Sequence, residues 1–117
     1  MTFRLSTAAA AVVLALVGAG PAAAYPSAAR ATTVKVTAKD FSFTLSKKTV
    51  PHGHVTFVVT NDGRTSHDFA IAGHVSRTVA PGKTTRLTLT LKRGRYPYRC
   101  TVDSHTKLGM KGVLRVT

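Results

Sequence analysis

From Val34 onward the apolar residues of this chain fall on every second position, a period that admits strands and little else. Val34, Val36 and Ala38 alternate with Lys35 and Thr37, and Phe41, Phe43 and Leu45 with Ser42 and Thr44. Val55, Phe57 and Val59 share one face of the segment Val55 to Thr60. Leu87, Leu89 and Leu91 do the same in Thr85 to Leu91, opposite Thr88 and Thr90. Tyr96, Tyr98 and Cys100 sit two apart, and Val113 to Thr117 makes a final strand. Turn signals separate the runs: Pro51-His52-Gly53, Asn61-Asp62-Gly63, Ala72-Gly73, Pro81-Gly82 and Arg93-Gly94. No amphipathic helix and no internal repeat is legible in this part. The expectation is an all-β fold, a Greek-key antiparallel sandwich or barrel of about seven to eight strands.

The chain begins differently. Arg4 is followed by an apolar or small-residue run from Leu5 to Val17, and Gly18, Gly20 and Pro21 then break it. Ala22-Ala23-Ala24 offers a small-residue cleavage site, so residues 1–24 read as a secretory signal peptide. An uncleaved anchor is the alternative, but the run is short for a membrane span. Residues 25–33 read as a flexible N-terminal arm, and 34–117 as one small domain without a transmembrane anchor. The expected location is outside the cytoplasm: periplasm, cell-wall space or medium.

A domain of this size buries only about 60–65% of its unfolded surface and benefits from a disulfide or a metal. Cys100 is the only cysteine, so an internal disulfide is impossible. A lone cysteine in an exported chain is a reactive thiol, an intermolecular bridge or a metal ligand.

The residues around it favour the metal. Four residues separate Cys100 from His105, and four more separate His105 from Met110. Upstream, His67 closes the run Asn61-Asp62-Gly63-Arg64-Thr65-Ser66-His67. One thiolate, two imidazoles and one thioether are the ligand set of a mononuclear blue-copper site. Alternation aims Tyr96, Tyr98 and Cys100 inward from one strand. His67 would start the strand after the Asn-Asp-Gly turn, and a loop from Thr101 to Gly109 would carry His105. Met110 would begin the return into the last strand. Taken singly, Cys100 and Met110 read as core residues and His67 as an ordinary polar residue. Their joint occurrence on a period-two scaffold makes one copper ion per chain the expectation, held by His67, Cys100, His105 and Met110.

Other histidines read differently. His52 and His54 precede the strand that His67 follows, which sets them roughly 20 Å or more from the copper end at about 3.3 Å per residue. They read as a polar turn, as does His74 after Gly73. Pro97 lacks an N–H and must sit where no ladder bond is needed.

The segment Tyr96-Pro97-Tyr98-Arg99-Cys100-Thr101-Val102-Asp103-Ser104-His105, ending Leu108-Gly109-Met110-Lys111-Gly112-Val113-Leu114, resembles the C-terminal signature of the cupredoxins. Val50-Pro51-x-Gly53, Val55-Thr56-Phe57 and the run from Asn61 to Phe69 are similar to the same family of small blue type 1 copper proteins, of the plastocyanin and azurin kind. The resemblance spans roughly Val34 to Thr117. The ligand-loop spacing is similar to that of phytocyanins, whose structural disulfide this chain cannot form. The binuclear copper domain of cytochrome oxidase needs two cysteines and is excluded. The resemblance implies that Asp68, where relatives often have Asn, ties its strand to the cysteine loop near Thr101. It also implies that His105 is a partly exposed ligand through which electrons pass. Gly63, Gly73, Leu108 and Gly109 would surround it, with Arg64 and Lys107 at the rim.

The implied function is electron transfer by Cu(I)/Cu(II) cycling. The alternative is a copper storage or delivery protein using the same ligands, and a sandwich that has lost its metal is a third class. Delivery is disfavoured because no Met- or His-rich tract is present. Catalysis is not expected: four protein ligands leave no open position, and the four acidic residues each look isolated. Seventeen Lys and Arg against four Asp give a formal net charge of +13. Export and the scattering of the basic residues argue against nucleic acid as a partner. The charge reads either as a self-repelling surface that keeps the chain monomeric and soluble, or as steering towards an acidic redox partner.

Overall fold

The computed structural model of the chain describes residues 31–117, together with Thr2. The expected leader at 1–24, Thr2 aside, and the arm as far as Arg30 lie outside the described residues. Nine strands follow one another: β1 (Thr32–Lys39), β2 (Ser42–Leu45), β3 (Thr49–Val50), β4 (Gly53–Asn61), β5 (Ala70–Ile71), β6 (His74–Val75), β7 (Thr84–Leu91), β8 (Gly94–Arg99) and β9 (Lys111–Val116). They form one sheet in the order β2-β1-β4-β7 and another in the order β3-β9-β8-β5-β6. No helix occurs among the described residues, so none there could cross a membrane.

Alternation is realised strand by strand. In β4 every second residue from Val55 is buried, ending on Asn61. Its register sets Phe57 beside Val34 of β1 and Leu87 of β7. Phe69, just before β5, and Ile71, Tyr98, Leu114 and Val116 of the other sheet join the same apolar cluster. Phe69 binds the layers together, its ring centroid 5.4 Å from Phe43, 5.1 Å from Phe57 and 5.3 Å from Tyr98. Each such side chain contributes about 1.5–3 kcal/mol by leaving water. On the outer face of the first sheet, the Thr56 and Thr88 hydroxyls meet across strands at 3.0 Å, and those of Thr60 and Thr84 at 3.1 Å.

Three details differ from the sequence reading. The sheets are mixed, because β1 pairs with β4, and β3 with β9, in parallel. Period-two patterning tells which face of a strand is buried but not which way its neighbour runs. Strand count is nine rather than about seven to eight, and three of the nine, β3, β5 and β6, are only two residues long. And β4 starts at Gly53, so His54 lies within a strand rather than in the turn before it.

Pro97 is accommodated by the same geometry. Cys100 donates its N–H to Met110 O at 3.0 Å, towards the β9 side. By alternation the nitrogen of residue 97 points the other way, where pairing with β5 stops at Tyr98. No ladder bond is lost.

Candidate metal centre

The C-terminal part of the chain returns to one point. Cys100 directly follows β8 and Met110 directly precedes β9, so the closing bond between these strands joins the two residues' backbones. Between them the loop is wound into successive short turns: His105 donates to Val102 O, Lys107 to Ser104 O and Leu108 to His105 O, at 3.0–3.1 Å. Met110 donates back to His105 O at 3.2 Å, and the Thr106 hydroxyl closes onto Cys100 O. Asp103 turns the chain at φ 46°, a left-handed conformation that short polar side chains tolerate. These bonds hold His105 over Cys100.

His67 arrives from the opposite side. It does not open a strand, as its alternation suggested. It forms an isolated bridge with Val79, exchanging N–H and C=O bonds of 3.1 and 2.7 Å, and β5 begins only at Ala70. Asn61 at the end of β4 anchors this segment, its side-chain amide donating to Thr65 O at 2.7 Å and Val79 O at 2.8 Å.

The four side chains are buried together. His67, Cys100 and Met110 are each 0% exposed and His105 is 6% exposed. Nδ1 of His67 lies 3.2 Å from Nδ1 of His105, and Cys100 Sγ lies 3.9 and 3.7 Å from those two atoms. Met110 packs with Cys100 and Ala38, against Phe41, Phe43 and Val102. Donors of one first-row metal shell, with bonds of about 2.0–2.1 Å to nitrogen and about 2.3 Å to sulfur, stand roughly 3.3–3.8 Å apart. The observed separations fit one ion between the three atoms. Burial pushes the Cys100 thiol up, so it is a poor acid without a cation beside it.

Two neighbours of the site have no trace in its motif. Asp40, on the turn between β1 and β2, places its Oδ1 2.7 Å from Nε2 of His67. Phe41 packs its ring 4.7 Å from that of His105 and 6.2 Å from that of His67. Asp40 is therefore not isolated, as it looked in the sequence. The available signal was a break in phase: the apolar row Val34, Val36, Ala38 resumes at Phe41, which places a turn near Asp40. Asp68 is not isolated either, since Thr101 donates its N–H at 2.6 Å and its hydroxyl to that carboxylate. This is the tie the resemblance implied.

The sequence profile of the cupredoxin-like domain matches residues 7–116. The chain belongs to the cupredoxin-like family. Among solved structures this cupredoxin is similar to auracyanin from the photosynthetic bacterium Roseiflexus castenholzii, with 24% identity and a TM-score of 0.65 over 74% of this chain and 97% of that one. It is similar to auracyanin A, a blue copper protein from Chloroflexus aurantiacus, with 20% identity and a TM-score of 0.62 over 74% and 99% of the two chains. Reduced rusticyanin gives 19% identity and a TM-score of 0.65 over 75% and 80%. No curated protein matches. The likeness to these structures shows the fold.

Within this cupredoxin the residues expected around His105 divide. Leu108 is 59% exposed, and its N–H donates to His105 O. His105 itself is buried rather than partly exposed, with the Phe41 ring packed against it at an interplanar angle of 55°. Gly63 lies against His67 instead, and Gly73 lines a groove on the second sheet with Val75, Pro97 and Val113. His52 and His54 are occupied locally: Nδ1 of His52 lies 3.0 Å from Thr117 O, and Nδ1 of His54 lies 3.0 Å from the Thr90 hydroxyl. His74 is exposed in β6.

Proposed function

We propose that this cupredoxin is an exported type 1 copper protein that carries single electrons, with one copper ion held by His67, Cys100, His105 and Met110. The observation that carries the reading is the convergence of Nδ1 of His67, Nδ1 of His105 and Sγ of Cys100 within 4.8 Å of one another in a buried pocket. Copper supplies the one-electron Cu(I)/Cu(II) couple. The residues supply the rest. A thiolate and two imidazoles would suit both oxidation states, and the Met110 thioether would add a weak further contact. The backbone bonds linking Cys100, His105 and Met110 keep these donors in place, so little moves when the charge changes. His105 is the one member of the set with any exposed surface, and electrons pass through it to a partner docked over Leu108.

Complete burial of the thiol and thioether favours a carrier over a delivery protein, because an ion passed between proteins must be reached by incoming ligands. The partner is a redox protein with an acidic face, met by a monomer with Arg64 and Lys107 at the rim of its docking surface. To test carrier against courier, the copper-loaded protein is reduced in the presence of a Cu(I) chelator and then reoxidised. Recovery of the full visible absorption is the expected result. Transfer of the copper to the chelator within the mixing time would replace the carrier reading with delivery.

A further inference from the structure

The side of His67 facing away from the cysteine is filled by a carboxylate. Asp40 Oδ1 lies 2.7 Å from Nε2 of His67 and 2.9 Å from the Thr65 hydroxyl that donates to it. The Arg64 N–H donates to Oδ2 at 2.8 Å, and the Thr65 N–H reaches Oδ1 at 3.4 Å. The loop after β4 thus wraps the carboxylate and hands it to the histidine. Gly63 makes room for the pair: a Cβ built there would overlap Oδ1 of Asp40 and stand 3.0 Å from Nε2 of His67. The histidine side chain is fully buried and that of Asp40 is 22% exposed, so the contact is partly shielded from water.

We infer that Asp40 is a positioning residue for the copper centre, fixing the tautomer of His67 and placing a negative charge one imidazole away from the metal. The inference rests on the copper reading above. A neutral imidazole has one N–H and one lone pair. A carboxylate takes the N–H at Nε2, which leaves the lone pair at Nδ1, the atom facing Cys100 and His105. Partners of this kind orient a ligating histidine and raise its basicity. The charge also distinguishes the oxidation states, because a fixed anion favours Cu(II) over Cu(I) and lowers the reduction potential. The turn between β1 and β2 therefore takes part in the site, Asp40 holding one imidazole and Phe41 covering the other.

Two substitutions separate orientation from charge. Asp40→Asn keeps an oxygen acceptor without the charge, whereas Asp40→Ala removes both. In the copper-free protein, nitrogen NMR of His67 is expected to show the Nε2–H tautomer for the native chain and for Asp40→Asn, and a mixture for Asp40→Ala. In the copper-loaded protein, Asp40→Asn is expected to shift the relative affinity for Cu(I) over Cu(II) about tenfold, which is about 59 mV upward for one electron. Asp40→Ala is expected to weaken Cu(II) binding about 10- to 100-fold. Unchanged potential and Cu(II) affinity, with unchanged tautomer populations, would overturn the inference. If Asp40→Ala does not fold, Asp40→Asn decides the question through its potential. If the native chain binds no copper, the proposed function fails, and a native His67 carrying its proton on Nδ1 would overturn the inference as well.

Discussion

Asp68 and Thr101 are joined by two bonds from one residue to one carboxylate: the Thr101 N–H to Oδ1 at 2.6 Å, and the Thr101 hydroxyl to Oδ2. Asp68 follows His67 and Thr101 follows Cys100, so this clasp locks together the two segments whose neighbouring residues meet at the candidate metal centre. Asp68→Ala leaves the Thr101 N–H without this acceptor, at a cost of about 1–3 kcal/mol. The melting temperature of the copper-free protein should fall by roughly 4–8 °C for each kcal/mol lost. Asp68→Asn keeps an oxygen for the N–H and should lose less. Thermal melts of the three proteins by circular dichroism check this order, and equal melting temperatures would show the clasp to be dispensable.

A second expectation concerns alkaline pH. Burial raises the phenol of Tyr98 above its ordinary value of 10.0. Its ring lies where a Cβ on Gly112 would have to go, under the core aromatics Phe43 and Phe69. An acid with a raised folded pKa contributes stability that is full below its unfolded pKa of about 10 and is lost as pH rises through the folded value. Spectrophotometric titration of phenolate should therefore show Tyr98 ionising above the ordinary phenol value of 10.0. Tyr98→Phe should flatten the loss of stability above about pH 10.

The core strands and the loop that carries Cys100, His105 and Met110 were legible in the chain because both are written as short-range spacing: period two for the buried faces, two gaps of four residues for the loop. What was not legible depends on long-range pairing. Alternation in Val34 to Ala38 says nothing about β4 running parallel beside it. It also does not tell that His67 would be held by a single bridge to Val79 rather than by a strand. Asp40 is 27 residues from His67, and the two meet only because β1 and β4 are neighbours that end together, Ala38 opposite Asn61. Burial of His105 escaped for the same reason: the ring that covers it, Phe41, comes from a distant turn.

Surface charge makes a third expectation. With a formal net charge of +13 and only four acidic residues, the chain should meet an acidic redox partner faster than a basic one. Surface charges are screened beyond about 8–10 Å at physiological ionic strength. Stopped-flow rates with an acidic electron donor should fall steadily as salt is raised, and Lys107→Glu or Arg64→Glu should reduce that dependence. A rate indifferent to salt would remove steering from the account while leaving the metal centre intact.

The most direct measurement is addition of Cu(II) to the purified, reduced, metal-free protein while the visible spectrum is recorded. The thiolate of Cys100 bound to Cu(II) should give intense visible absorption that saturates at one copper per chain and is absent from Cys100→Ser. No such band, or a band that survives Cys100→Ser, would contradict the assignment of His67, Cys100, His105 and Met110 as a copper site.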